Sequence, residues 1–513
     1  MQRNKFVSPN KPMSHQIEAR KRLSARPFKP SDEDVFAYQM EMGTGKSYCL
    51  LDEWQDGVAS GTWDTLIVIA PAGSYKNWYQ SKSDEQQSEL KAHLDPELYR
   101  KTLVAAWETG TSKRKKEQLE KLITTTNRPR AFFINVESLS TKTGASDVLT
   151  RLMNNSRALL AVDESTTIKG DSKRTEAICQ LGQLAVARRL MTGLATPKSP
   201  LDLFWQFYFL DWRILGQQSP FAFKMRYAIT RKTDFGGTLR RKKKVNGKII
   251  MVPHKINIVV GYRNIDELKT RTAPYSYRVL KKDCLDLQPK VYEQRAVELT
   301  KEQRRIYNEL LEYATSELSD GQHVTATSVI IRILRLHQLV CGHSVDDETK
   351  AVTDVPSNRV KAVLDILEEH EGKAIIWTTY TRELEKIAAA LKQEYSPQSC
   401  VTFWGGNRNV RGEEEKRFLN DPQCRFMVAT QSAGGRGNTW VNADLAIYAA
   451  NSYNLEMRMQ SEDRCHRKGQ KNSVTYVDII AENTVETKIV QALRNKIDLA
   501  TAITGENYME WLI

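Results

Sequence analysis

Short apolar, β-branched runs recur along this chain in two groups, and that rhythm constrains its fold more than any other feature. The first group holds TLIVIA (Thr65 to Ala70), AFFINV (Ala131 to Val136) and ALLAV (Ala158 to Val162). The second holds KAIIWT (Lys373 to Thr378), RFMVAT (Arg425 to Thr430) and LAIYAA (Leu445 to Ala450). Between the runs lie polar, helix-forming segments such as KRKKEQLEKLI and RELEKIAAALKQEY. A strand that is apolar throughout is covered on both faces, so buried strands alternating with helices predict α/β lobes with parallel sheets. Two groups predict two lobes in tandem, and 513 residues are too many for one hydrophobic core.

The boundaries follow from composition. The first lobe is expected over residues 1–215 and the second over 359–482, joined by the polar, non-periodic stretch SVDDETKAVTDVPSN, residues 344–358. Residues 216–343 read as an insertion. Its first part carries Asn246-Gly247 between a basic and a β-branched run, a strong hairpin signal that places Arg240, Arg241, Lys242, Lys243 and Lys244 on one arm of a β-ribbon. Its second part, Leu299 to Val340, repeats apolar residues at helical spacing and predicts a helical protrusion or brace; residues 483–513 predict a further brace helix.

A formal net charge of +14 favours a polyanionic partner, nucleic acid first. No run of about 18 apolar residues occurs and the start, MQRNKFVSPNKP, has no apolar core, so neither a membrane span nor a secretory signal is indicated. Seven scattered cysteines without a C-x-x-C pair fit reduced thiols, and a cytoplasmic setting is expected. His337, Cys341 and His343 have ligand-type side chains at close spacing, but they sit in an apolar helical stretch and read as core rather than as a zinc site.

The segment QSEDRCHRKGQ (Gln460 to Gln470) sets Arg464 and Arg467 one helical turn apart. Forked guanidiniums suit the oxygens of a phosphate in transfer, where an arginine finger contributes about 10³ to 10⁵ in rate. Such a pair needs a phosphate cradle, and one appears at Met42-Gly43-Thr44-Gly45-Lys46-Ser47. A glycine-rich turn entering a helix aims backbone N–H groups at phosphates, the lysine reaches the terminal ones and the serine hydroxyl meets Mg²⁺. The strict G-x-x-x-x-G-K-[ST] pattern fails, because Met40 stands at its first glycine. Asp163 and Glu164 follow ALLAV at once, at the strand end where ligands of α/β sheets gather, in position to hold the metal and to activate water. Gln16, in SHQIEAR, has an amide suited either to an adenine edge or to a helix surface.

In this order MEMGTGKS, APAGSYKNW, DESTTIK, MTGLATPKSPLDLFWQF, ATQSAGGRGN and QSEDRCHRKGQ resemble helicase superfamily two, specifically its Swi/Snf-type branch of double-stranded DNA translocases, over about Gln16 to Ala500. The resemblance implies two RecA-like lobes, with ATP and Mg²⁺ as cofactors. It implies that Gln16 contacts adenine, and that Met42, Gly43, Thr44, Gly45, Lys46, Ser47 and Gly437 bind nucleotide. Ser47 and Asp163 would bind the metal and Glu164 would activate water. Arg464 and Arg467 would act as fingers, with Gln460 and Gln470 beside them in coupling. Thr192 and Gly193 would transmit nucleotide state, although Thr192-Gly193-Leu194-Ala195 departs from the usual T-G-T-P and Thr196-Pro197 follows two places late. Trp404, Gly405, Gly435, Arg436 and the Arg240 to Lys244 run would meet nucleic acid. The implied activity is a DNA-dependent ATPase, acting as a monomer and favouring duplex over single-stranded DNA, with RNA left open. A strand-separating or branch-migrating helicase is one alternative, and an ATP-gated module acting on a DNA-bound protein such as RNA polymerase is another. The short chain suits a bacterial or phage engine.

Overall fold

The computed structural model describes residues 6–25, 34–81, 87–108, 113–140, 144–197, 199–233, 240–245, 248–253, 256–319, 326–434, 439–452, 454–491 and 493. The chain divides into two compact units, Met1–Tyr227 with Asn264–Asp286, and Ala228–Arg263 with Leu287–Ile513.

Strands β1 (Asp34–Met40), β2 (Thr65–Ala70), β3 (Leu103–Ala106), β4 (Arg130–Asn135), β5 (Ala158–Asp163) and β6 (Ala187–Thr192) come first. Next are β7 (Ala228–Thr233), β8 (Arg240–Val245), β9 (Lys248–Pro253) and β10 (Ile256–Tyr262), which form the antiparallel pairs β7–β10 and β8–β9. Strand β11 (Ser276–Val279) then completes a seven-stranded sheet in the order β11-β1-β6-β5-β2-β4-β3, parallel throughout. Its two faces bury alternate residues of the same strands: Ile67, Ile69, Phe132 and Leu160 on one side, Leu66, Val68, Phe133 and Leu159 on the other. The apolar runs are continuous because both faces are covered.

The second unit contains β12 (Lys290–Val297), β13 (His343–Val345), β14 (Val352–Asp354), β15 (Lys373–Thr378), β16 (Cys400–Phe403), β17 (Phe426–Thr430), β18 (Ala443–Tyr448) and β19 (Val474–Ala481). Six of them make a parallel sheet in the order β12-β19-β18-β15-β17-β16, again with a core on each face. Two helices, Lys301–Ser319 and Ala326–Val340, occupy the stretch expected to be a helical brace.

Two expectations about organisation need correction. Residues 344–358 are not a bare linker: they carry β14 and most of its antiparallel pairing with β13, inside the second unit. The chain leaves the first unit for the last time after Asp286 instead. Residues 216–343 are likewise no separate insertion, because β11 and β12 are edge strands of the two main sheets. Both are polar enough, SYRV and KVYEQRAV, to hide their membership, as edge strands with one free side can be. The basic hairpin is present as β8 and β9, paired from Arg240↔Pro253 to Val245↔Lys248, while its Asn246-Gly247 turn lies outside the described residues. So does most of the expected terminal brace, from residue 494 onward. Among the described residues no helix is long and apolar enough to cross a membrane.

Candidate functional site

In the first unit the cradle is set by a buried ion-pair network. The helix Lys46–Ser60 carries Glu53, whose carboxylate takes Arg189 of β6 and the Tyr38 hydroxyl of β1, the latter at 2.9 Å. Arg189 is fully buried and also donates to the Asp34 carbonyl at 2.8 Å, so the helix is fixed to both central strands. A second tie, Arg20 to Asp52 and Asp56 at 3.3 and 2.6 Å, holds the helix Ser14–Ala25 beside it.

Between β1 and this helix the backbone takes left-handed turns at Gly43 (φ +81°) and Gly45 (φ +87°). Gly45 is required twice over: its φ penalises any side chain, and a Cβ there would lie 2.1 Å from Gln16 Nε2. Lys46 Nζ donates to the Met40 carbonyl at 3.0 Å, and Ser47 stands half-buried on the first helical turn. Thr44 is fully buried, its hydroxyl donating to the Glu41 carbonyl at 2.7 Å.

Gln16 is committed to this loop. Its Oε1 accepts from Met13 N at 2.9 Å and its Nε2 donates to the Thr44 carbonyl at 3.3 Å. The same carbonyl is met at 2.8 Å by His15 Nε2, which must carry the proton because a carbonyl only accepts. His15, buried beside Gln16, is a residue the sequence reading passed over, although its place next to a motif glutamine was a usable signal.

At the end of β5, Asp163 accepts from Trp78 Nε1 at 3.2 Å and from Glu164 N at 3.0 Å. Burial pushes the Asp163 carboxyl above its ordinary range, and the nearby Lys46 charge pulls it back. Glu164 holds a left-handed backbone, φ +48°, which is uncommon for a residue with a side chain and marks a strained position at a strand end. Trp78 closes the APAGSYKNW stretch and was not singled out as a site residue.

The turn after β6 touches the cradle. A Cβ on Gly193 would lie 3.3 Å from Met42 N, so Met42 and the Thr192-Gly193 pair are in close apposition. Thr192 Oγ1 accepts from Leu194 N at 3.2 Å and donates to the Leu194 carbonyl at 3.1 Å. A second link runs underneath: Ser165 Oγ donates to Gln206 Oε1 at 2.6 Å, and Gln206 Nε2 donates to the Ala195 and Asp202 carbonyls at 2.7 and 2.8 Å. The altered turn is thereby wired to the Asp163-Glu164 segment through a buried glutamine that the sequence reading missed. Its only signal was its place in PLDLFWQF.

In the second unit the helix Leu455–Glu462 ends before the arginines, so Arg464 and Arg467 are not a helical pair as expected. The chain turns tightly there, and its carbonyls draw bonds from other strands and loops as well as from the turn itself, where Glu462 O still accepts from His466 N at 3.2 Å. Glu462 O accepts from the Tyr476 hydroxyl at 3.0 Å and Arg464 O from Trp440 N at 2.8 Å. Arg464 is buried, with Nε donating to the Gln460 carbonyl at 2.9 Å, while half-buried Arg467 donates to Thr439 Oγ1 at 2.9 Å. Gln460 is buried and bonds Glu456 at 3.3 Å; Gln470 bonds the Ala443 carbonyl at 2.8 Å and organises the following loop. Beneath the segment, Arg458 binds Glu462 and Asp478, and Lys290 and Tyr292 each reach Glu462 at 2.9 Å. Burial alone would raise the Glu462 carboxyl, but the Lys290 and Arg458 charges hold it below its ordinary range.

Half-buried Trp404 lies over Gly406, and Gly405 faces open space. Gly435, Arg436 and Gly437 lie outside the described residues.

With this geometry in hand, the comparisons give the class. Residues 14–345 match the SNF2-related domain and residues 358–469 the helicase conserved C-terminal domain. The chain belongs to the SNF2-related family. It thus carries both domains of a helicase-type ATP hydrolase. Among its relatives, an uncharacterized ATP-dependent helicase of Mycoplasma pneumoniae is 24% identical over 92% of this chain and 40% of that one. Another from Mycoplasma genitalium is 24% identical over 48% of this chain and 24% of its own length. The TATA-binding protein-associated factor MOT1 of Saccharomyces cerevisiae is 22% identical over 67% of this chain and 20% of that protein. The chain therefore spans two fifths or less of the length of these relatives. A solved structure, the Sulfolobus solfataricus SWI2/SNF2 ATPase core in complex with dsDNA, aligns over 97% of this chain and 94% of that one at 20% identity and a TM-score of 0.39.

Proposed function

We propose that this chain is a DNA-dependent ATPase that moves along duplex DNA and remodels forks, branched DNA or protein–DNA complexes. The observation that carries the reading is the match to both family domains, laid over two parallel-sheet units. The first unit's chemistry fits ATP and Mg²⁺: a left-handed glycine loop opens a helix, and a buried carboxylate sits where a lysine charge acts on it. When bound, Mg²⁺ supplies positive charge to the phosphates. In this reading Gly43 and Gly45 shape the loop, Lys46 donates to phosphate oxygens, and Ser47 and Asp163 hold the metal. Glu164 orients and deprotonates water, and Arg464 and Arg467 offer guanidiniums to the developing charge. Gln16 supports the loop through the bond its amide donates to the Thr44 carbonyl. Contacts from Trp404, Gly405, Arg436 and the Arg240 to Lys244 strand go to the phosphodiester backbone, so binding is sequence-tolerant and salt-sensitive. A bacterial or phage-host cytoplasm is the setting this reading implies.

The relatives named as TATA-binding protein-associated factors favour a second reading, in which the engine acts on a DNA-bound protein. One comparison tests both: ATP turnover of the full chain alone and with single-stranded DNA, duplex DNA, branched DNA and RNA. Strongest stimulation by duplex is expected. RNA or single-stranded DNA as the best activator overturns the duplex assignment, and indifference to every nucleic acid favours a protein-directed module.

A further inference from the structure

A cluster in the second unit takes no part in the account above. His337 lies on the last turn of the helix Ala326–Val340, Cys341 follows that helix directly, and Glu486 lies just beyond the end of β19. All three are buried. One ligand-type atom from each lies within 4.8 Å of the other two. His337 Nε2 and Glu486 Oε1 face each other at 3.5 Å, within ion-pair distance of one another, and neither makes any other hydrogen bond. A histidine nitrogen and a carboxylate oxygen buried at that distance need a shared proton or a cation between them.

The remaining atoms of these side chains are used to aim them. His337 Nδ1 meets the Tyr380 hydroxyl at 2.8 Å, which fixes the ring and turns Nε2 inward. Glu486 Oε2 accepts from Arg359 at 2.7 Å and from Ala481 N at 2.8 Å, which leaves Oε1 for the cluster. Partners that orient a histidine and a carboxylate from behind are what metal ligands require. Cys341 also lines a cavity of about 280 Å³ together with Arg359 and Glu383. Charge is accounted for as well. Cys341 as thiolate and Glu486 as carboxylate match the two charges of a dication, and Glu383 Oε1 lies 4.0 Å from Arg359 Nε.

We propose that His337 Nε2, Cys341 Sγ and Glu486 Oε1 form a three-ligand site for a zinc-class divalent ion. The mixed nitrogen, sulfur and oxygen donors select such an ion over Mg²⁺ or Ca²⁺, which take oxygen. Cys341 releases its thiol proton to solvent as the metal binds. The bound ion pins the end of the brace helix to the segment following the last strand. In the sequence His337 and Cys341 are spaced with His343 in a stretch that reads as core; the fold brings Glu486 to them from far along the chain.

The test is titration of the metal-stripped full chain, without nucleotide, with Co²⁺. One equivalent is expected to produce a thiolate-to-cobalt charge-transfer band and the strong visible bands of tetrahedral cobalt. Cys341→Ser should abolish the charge-transfer band, and Tyr380→Phe should weaken binding about 10- to 100-fold while leaving the band shape unchanged. Zn²⁺ should displace the cobalt and raise the wild-type melting temperature. Absence of the band at saturating cobalt, or its persistence in Cys341→Ser, overturns the site. Wild-type titration decides the matter even where a variant fails to fold.

Discussion

At the residue scale, the cradle is defined by what surrounds it as much as by its own motif. Gly45 is locked by a positive φ and by the Gln16 amide above it. Lys46 and Asp163 interact electrostatically, and Glu164 holds a strained backbone beside them. On the proposed roles, Lys46→Ala and Glu164→Gln should each lower ATP turnover by orders of magnitude while DNA binding, measured by fluorescence anisotropy, stays near wild type. Arg467→Ala should lose turnover with nucleotide affinity nearly kept. A Glu164→Gln protein that still hydrolyses ATP at the wild-type rate removes that residue from the water-activating role.

At the scale of elements, two buried networks hold the motif segments. The Ser165–Gln206–Ala195 chain links the turn after β5 to the turn after β6. Gln206→Leu removes the acceptor of the Ser165 hydroxyl and a donor to the Ala195 carbonyl, at about 1–3 kcal/mol for each group, so the melting temperature should fall. DNA stimulation should fall further than basal turnover, because the substitution cuts the link and spares the cradle. An unchanged stimulation ratio would show that the link only braces the fold. The second network centres on Glu462. Breaking it with Glu462→Gln should cost about 3–5 kcal/mol at neutral pH, read by chemical denaturation. Its carboxyl is held below the ordinary value of 4.5, so the stability it contributes is present above that value and is lost as pH falls below it. The gap between wild type and Glu462→Gln should therefore close on acidification, and a gap independent of pH would contradict the ion-pair account.

These elements also show what the sequence discloses. Strands β2 and β15 match their apolar runs end to end, because an inner parallel strand is covered on both faces: β2 buries every residue and β15 all but Lys373. Strand β6, ARRLMT, was passed over because two of its residues are arginines. Arg189 is nonetheless fully buried, made tolerable by Glu53 and Asp34, and such pairing across the sequence leaves no local pattern. The motif segments stand out in the sequence one by one. The partners that fix them, His15, Trp78 and Gln206, do not, since each acts through a contact that only the fold creates.

At the scale of the whole molecule, the two parallel-sheet units and the two matched domains make the central claim one about motion on duplex DNA driven by ATP. Stimulated hydrolysis alone does not separate movement from clamping. The direct measurement is displacement of a third strand from a triplex on otherwise intact duplex DNA, followed with ATP, with a non-hydrolysable analogue and with the Glu164→Gln protein. The account predicts third-strand release with ATP and wild-type protein only, with no separation of the underlying duplex. Release without hydrolysis, or none under conditions where duplex DNA stimulates turnover, would contradict it.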